Sequence, residues 1–581
     1  MHIIPDLKKL EAKYPEELVV IGVHSAKFLN EKQTESIRQA ILRYEIRHPV
    51  INDKDFEVWH QYGVHAWPTL VLINPQGRVI GNHSGEGIFD LFDETIGRAV
   101  QYFERKGELK RSALRLALGE AKKPNTLLAF PGKISADAKT GSLFISDSNH
   151  NRILITDSEG AIQDSIGSGD MGSKDGTFEE AEFNHPQGTF LDGELLYIAD
   201  TENHLIRAAN LKTKRVDTLL GTGRQGMDFN RPGTGREVAI SSPWDLLAEG
   251  GKLYIAMAGF HQLWIMDLET LAAKPFAGSG QEARIDGPLS RAALAQPSGI
   301  TTDGKKLYFA DSETSSIRSA DLDPKGNVET LIGEDLFEFG DVDGARPAAR
   351  LQHALGVFFK DGRLYVADTY NSKIKIVDPA KKIAATYAGT GRHGMSDGER
   401  LKAEFYEPGG LAALGDTLYI TDTNNHVIRT LDLKTAQVRT MGFSRLEKLA
   451  ALRKKNFRGR IVELPKQEMK EGRGKIVLGF NLPQGYHLNE KAPFWIEWRS
   501  SDEKVLGFTA RPDQLDLSQM TLPLEIPVSA VRGTSELTFD TTVYFCRDPS
   551  SPCLFENLQI KAPVEITSQA SSELKFSVDV K

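Results

Sequence analysis

LYIADTENHLI, residues 196–206, is the stretch from which the fold can be read. An apolar run from Leu196 to Ala199 ends at Asp200, the polar turn Thr201-Glu202-Asn203 follows, and apolar residues resume at Leu205. Asp and Asn side chains bond the backbone two residues on and tolerate left-handed geometry, so this turn closes a hairpin. The stretch recurs as LFISDSNHNRI (143–153), LYIAMAGFHQL (253–263), LYFADSETSSI (307–317), LYVADTYNSKI (364–374) and LYITDTNNHVI (418–428). The turn residue falls at Asp147, Asp200, Met257, Asp311, Asp368 and Asp422, at intervals of 53, 57, 54, 57 and 54. Around the second copy, GTFLD, LLYIAD, HLIRAAN and VDTLLG read as four short strands separated by turn residues. Repeated four-stranded units of this kind predict a β-propeller, and six units predict six blades over residues 125–443.

The repeat Y-[IV]-A-D-T-x-N-x-x-I-[RK] resembles the signature of NHL repeats, which form six-bladed propellers. The third copy departs from it, with Met257 and Phe260 in place of Asp and Asn, which leaves that blade's rim free to differ. GSGDMG (167–172), GTGRQG (221–226) and GTGRHG (389–394) each match G-x-G-x-x-G. A dinucleotide site also needs a βαβ unit and an acidic residue about 20 positions on. Here the element recurs once per repeat, so it reads as an inter-blade turn. Asp-Gly pairs at 175–176, 286–287, 343–344 and 397–398 belong to the same segments and should crowd one rim. His150, His204, His261 and His426 recur beside the turns. They read as structural rim residues, because metal ligation needs several ligands converging at one point. No metal site and no cofactor are expected.

Size and composition fit a multidomain globular protein. The chain has 581 residues, more than one core normally serves. A net charge of −8 gives no support to nucleic acid or an anionic membrane as the main partner. No apolar run approaches the length of a membrane span. No signal peptide is visible in the first residues, which form a helix with Lys8, Lys9 and Glu11 inside it, and a cytoplasmic location is the expectation. The only cysteines are Cys546 and Cys553, so no disulfide framework holds the protein together.

GVHAWPTLVLINPQGRVIG (63–81) has a different character: Trp-Pro-Thr enters a strand, Asn74 to Gly77 turns, and a second strand returns. It resembles the thioredoxin-like family, in which a cis-proline stands at the place of Pro68, flanks the redox site and presents backbone to the substrate chain. The resemblance implies a thioredoxin-like domain over 1–110, with a strand at Leu18–Val23 and a closing helix from Gly87 to Arg105. The redox cysteines of such a domain begin its first long helix, and MHIIPDLKKLE (1–11) has that helix at its start. The order of thioredoxin-like domain, NHL propeller and β-domain resembles the NHL repeat-containing protein 2 family. That resemblance implies that the first strand and the C-x-x-C pair are absent from this chain. The strand at 18–23 then either pairs with the strand at 69–73, faces a gap, or has the slot filled by the linker at 110–124 or by another chain.

A basic stretch, SRLEKLAALRKKNF (444–457), reads as a helical connector. Beyond it, β-type runs at 474–480, 493–498, 522–528, 541–546 and 573–580 predict a β-sandwich over 458–581. Cys546 and Cys553 stand between two of its strands, close enough in sequence to form a disulfide, or to remain two reduced thiols beside a loop. Their spacing resembles the immunoglobulin-like electron-acceptor domain of bacterial thiol-disulfide interchange proteins, which implies a redox pair. Two functions compete: thiol–disulfide exchange, and a scaffold that holds a protein or peptide on a propeller face. A propeller hydrolase is disfavoured by Met257 and by the lack of an acidic set for the channel.

Overall fold

A computed structural model describes residues 3–111, 126–446, 449, 459–488, 495–509, 522–547 and 554–581. The chain divides into two compact units, Met1–Lys123 and Pro124–Lys581.

The first unit runs α1 (Ile3–Lys13), β1 (Gly22–His24), α2 (Thr34–Arg43), β2 (Val50–Asn52), α3 (Glu57–Gln61), β3 (Thr69–Ile73), β4 (Val79–Ser84) and α4 (Phe89–Arg105). Leu10 of α1 and Phe92 and Ile96 of α4 bury their side chains together, with Leu70 and Leu72 of β3 packed against them. The Tyr14 hydroxyl ties these helices, donating to Asp93 Oδ1 (2.8 Å). The apolar run expected as a strand from Leu18 enters the sheet only at Gly22. Leu18 N–H still bonds Tyr14 O (3.0 Å), so that residue finishes the helix turn and packs on the helical core. β1 pairs with β2 in parallel, β3 pairs with β4 antiparallel, and among the described residues no ladder joins the two pairs. Of the three arrangements open to this strand, it does not pair with β3. Val23, Ile51 and Ile73 are consequently exposed.

The second unit begins with six antiparallel sheets among the described residues. The first has four strands, and the other five each add a two-residue strand at the outer edge. In the second sheet the inner strand is Thr189–Asp192, then come Leu195–Asp200, Leu205–Asn210 and Arg215–Leu220, with Gly176–Thr177 outermost. Apolar side chains of neighbouring sheets interlock: Phe144 and Ile153 of the first sheet share a core with Leu196 and Ile198 of the second. The sixth sheet bonds back to the first. Thr421 donates to Gly132 O and Thr423 to Pro131 O, both at 2.9 Å. This is a propeller-like arrangement.

Second and fourth strands run parallel within each sheet. The Asp-Thr-x-Asn turns and the glycine loops therefore emerge on one side. Asn203, Asn371 and Asn425 each donate a side-chain N–H to the loop carbonyls of Gly172, Gly340 and Gly394 (2.6–2.7 Å). The G-x-G-x-x-G loops lead into the two-residue edge strands, not into helices.

The remaining strands form a six-stranded sheet around Gly533–Cys546 and Leu554–Thr567, and a four-stranded sheet around Gly472–Asn481 and Leu524–Ala530. Side chains from both sheets make one hydrophobic core. Tyr544 and Phe555 leave that core and pack with Leu128, Leu143, Tyr419 and Ile428 at the seam of the first and sixth sheets. Most of the connector at 444–457 lies outside the described residues, while Leu446 and Leu449 are buried at this seam. No helix among the described residues is long and apolar enough to cross a membrane.

Candidate functional site

In the thioredoxin-like unit the site is built around the Trp67–Pro68 bond, which is cis. The Trp67 indole N–H donates to Ser25 O (2.8 Å), fixing the segment before β3 to the end of β1. The Trp67 ring lies 4.5 Å from that of Trp59 and meets Phe56 edge-on at 6.3 Å. α3 holds Trp59 in place because Asp53 caps its N-terminus, accepting from Val58 and Trp59 N–H (3.0 Å each) and from the Ser25 hydroxyl (2.7 Å). Burial pushes the Asp53 carboxyl up, but these donors outweigh it and hold it below the usual range. His24, half-buried, is pushed below its ordinary value by desolvation, and its Nε2 has no hydrogen-bond partner. The result is a partly exposed aromatic shelf beside Pro68. Residues 1–110 contain no cysteine to stand against it.

In the propeller-like unit the turn aspartates Asp147, Asp200, Asp311, Asp368 and Asp422 are wholly buried. One carboxylate oxygen of each accepts a backbone N–H at the entry to its own sheet's inner strand: Ala129, Asn184, Ala295, Gln352 and Tyr406, at 2.7–2.8 Å. In four sheets the other oxygen faces a buried cation seven residues later. Arg207, Arg318 and Arg429 lie 2.8–3.0 Å from Asp200, Asp311 and Asp422. Lys375 holds the charge opposite Asp368. Each cation also pairs with the Asp-Gly aspartate 32 residues earlier: Asp175, Asp286, Asp397 and Asp343, at 2.6–3.0 Å. Desolvation raises Asp200 and Asp422 to about 6 and Asp368 to about 7, the cations pulling the other way. Burial pushes Asp147 up as well, but His150, Arg152 and the Ala129 N–H together outweigh it and hold it low. The third sheet replaces the whole set. Met257, Trp264 and Pro232 stand where Asp200, Arg207 and Asp175 stand in the second.

A second repeated contact runs between sheets. The residue after each turn is left-handed: Asn151, His204, His261, Ser315, Ser372 and His426, with φ between 49° and 58°. Its side chain accepts a backbone N–H from the next sheet, at His185, Ser242, Gln296, His353, Glu407 and Phe130 (3.0–3.4 Å). The recurring histidines thus divide. His204, His261 and His426 make this clasp through Nδ1. His150 stands one place earlier in its repeat and lies 2.8 Å from Asp147.

At the centre, the Lys133 ammonium of the first sheet donates to Leu355 O and lies 3.8 Å from Asp245 of the third sheet's inner strand. Burial pushes Lys133 down and Asp245 up, each charge pulling the other back. Among the described residues no group of three or more His, Cys, Asp or Glu is arranged to hold a metal ion. Cys546 ends a buried strand and is disulfide-bonded, while Cys553 lies outside the described residues.

The sequence reading missed the cation of each latch and the aromatic shelf. Both had signals: the motif's [RK] and the Asp-Gly pairs keep a constant spacing, and Phe56, Trp59 and Trp67 cluster within twelve residues.

A thioredoxin-like family model matches residues 1–79. Over its length the chain is similar to NHL repeat-containing protein 2 of Gallus gallus, 37% identical over 628 aligned residues that cover 99% of this chain and 86% of that protein. The Homo sapiens protein of the same name is 37% identical, covering 98% of this chain and 85% of its own length. Protein SUPPRESSOR OF QUENCHING 1, chloroplastic, of Arabidopsis thaliana is 38% identical over all of this chain and 57% of its own length. With a thioredoxin-like unit leading into repeated sheets latched at the Asp turns, and with this identity along nearly the whole chain, the chain belongs to the NHL repeat-containing protein 2 family.

Proposed function

We propose that this is a thiol–disulfide exchange protein of thioredoxin-like ancestry. In this reading residues 1–110 supply a substrate shelf, a six-bladed NHL propeller over 125–443 forms the frame, and a β-sandwich over 458–581 carries the thiol pair Cys546 and Cys553. The observation that carries it is the state of Cys546, disulfide-bonded in a chain that holds one other cysteine. We place the protein in the cytoplasm, where a disulfide is usually transient and catalytic rather than structural. A substrate thiolate attacks one sulfur of the pair, and the other leaves as thiolate. The second substrate thiolate then resolves the mixed disulfide. Two electrons pass from the substrate dithiol to the protein disulfide, and protons follow the thiolates. Exchange at the Trp67–Pro68 shelf needs a thiol pair from outside residues 1–110, and the family resemblance puts a C-x-x-C segment before the first helix.

The test is a redox titration of Cys546 and Cys553 in the full chain. An exchanging pair equilibrates at about −200 to −270 mV, and a value below about −300 mV would mark a structural disulfide and end this reading. A second reading, a scaffold that holds a protein or peptide on the propeller face, is favoured by the exposed Met227 and Phe229 on the loop side.

A further inference from the structure

The repeat supplies its own control for one rim position. Gly172, Gly226 and Gly394 each donate a backbone N–H to the carbonyl of Phe183, Ile240 and Phe405 (2.9–3.3 Å), so Glu182, Ala239 and Glu404 occupy one place in the loops of the second, third and sixth sheets. In the sixth sheet Glu404 takes the exposed Arg392 as its ion-pair partner, at 2.8 Å. In the third sheet Arg224 stands where Arg392 does, but opposite it is Ala239. Arg236, further along the segment, has Asp175 at 3.3 Å. Arg224 and Arg231 pair with no carboxylate among the described residues. The one acid of residues 221–232, Asp228, turns back to accept Asn230 N–H (3.2 Å).

Between these arginines the loop shows two large apolar side chains, Met227 (67% exposed) and Phe229 (36%). Phe229 is seated, not dangling: its ring covers Gly280, where an added Cβ would fall 2.2 Å from a ring carbon. Gly226 is likewise packed against Phe260, the residue that replaces the turn asparagine. The third sheet has thus exchanged its charged latch for apolar packing, and it leaves cations and an apolar surface facing outward.

We propose, resting on the scaffold reading, that this rim binds an acidic segment of a partner protein that carries an aromatic or branched apolar residue. One carboxylate accepts from Arg224 in the place Glu404 has beside Arg392, another faces Arg231, and the apolar side chain lies over Met227 and Phe229. Buried aromatic anchors with flanking charge are the usual source of affinity at such a surface.

The experiment selects binders for the full chain from a phage-displayed library of random 12-residue peptides. The winners are then measured as labelled peptides by fluorescence anisotropy against wild type, Ala239→Glu, Arg224→Glu/Arg231→Glu and Arg392→Ala, all checked for an unchanged melt. Winners are expected to combine Asp or Glu with Phe, Leu or Trp. Ala239→Glu, which installs the internal carboxylate, should weaken them about tenfold or more, and so should the double arginine reversal. Arg392→Ala should leave them unchanged. Basic winners, or undiminished binding to Ala239→Glu and to the double variant, would overturn the assignment. Phe337, 67% exposed, lies in the loop between the strand Asn327–Ile332 and the edge strand Gly344–Ala345, and winners lost only on Phe337→Ser would spare the scaffold reading and sink this one. No saturable binder would sink both. Self-association of the wild type that Ala239→Glu abolishes would replace the partner by a second copy.

Discussion

Replacing His426 by alanine tests whether the ring of sheets is held shut by the clasp that joins its two ends. His426 Nδ1 accepts the N–H of Phe130 (3.1 Å), and the two rings meet edge-on at 4.4 Å. Phe130 is 3% exposed, so water cannot take over the lost acceptor. An unsatisfied buried N–H costs about 1–3 kcal/mol, and loss of the ring contact adds about 0.5–1.5 kcal/mol. A total of about 1.5–4.5 kcal/mol is expected for His426→Ala. His426→Asn should lose only about 1 kcal/mol. Asparagine tolerates the left-handed backbone at φ 58°, and Asn151 already makes the equivalent bond in the first sheet. Ser372→Ala, whose clasp is 3.4 Å long, should cost less than His426→Ala. Urea unfolding gives the global change, and hydrogen exchange at the Phe130 amide gives the local one. Equal losses in the alanine and asparagine variants would refute the clasp and leave ring packing as the only contribution.

Trp264→Arg should unfold the third sheet's edge, because Met257 and Pro232 offer a buried guanidinium no carboxylate; a loss of about 3–5 kcal/mol is expected in a thermal melt. The triple change Met257→Asp/Trp264→Arg/Pro232→Asp should recover much of it. Lys133→Met should cost about 3–5 kcal/mol by stranding Asp245, and adding Asp245→Leu should restore most of the lost urea midpoint. Asp368 holds its proton up to about 7 when folded and to about 4 when unfolded, so the folded state binds more protons between those values and this contribution to stability falls as pH rises through them. Against Asp368→Asn, the wild type should lose relative stability from pH 4.5 to 7.5, and a flat difference would show that Lys375 fully compensates the burial.

The short apolar run that ends at each turn aspartate made the sheets legible, since a strand packed between neighbouring sheets is buried on both faces. What escaped was set by partners distant in sequence. Arg207 reads locally as an ordinary strand residue, and only Asp175 and Asp200 converging on it show why it is buried. The clasp was hidden for another reason. Its requirement is a side-chain acceptor on a left-handed residue, which Asn, His and Ser all satisfy, so Asn151, Ser315 and Ser372 did not look like relatives of His204. His150, which did, belongs to another contact. In the first unit, apolar character alone could not show that Leu18 completes a helix turn rather than opening a strand.

The return of the sixth sheet to the first also sets the order in which this fold can be assembled. The clasp from His204 to Ser242 spans 38 residues, whereas that from His426 to Phe130 spans 296. Closing the longer loop costs only about 2 kcal/mol more in chain entropy, so the equilibrium penalty is small. The kinetic consequence is larger, because contacts of long sequence separation form late. During synthesis the first sheet emerges before the sixth-sheet partners of Phe130 N–H, Pro131 O and Gly132 O, which arrive only with residues 421–426. Tyr544 and Phe555 then cover the same seam, after more than a hundred further residues. A nascent chain halted before the sixth sheet therefore presents an open edge flanked by finished sheets, the form in which a propeller is most exposed to pairing with a neighbouring chain.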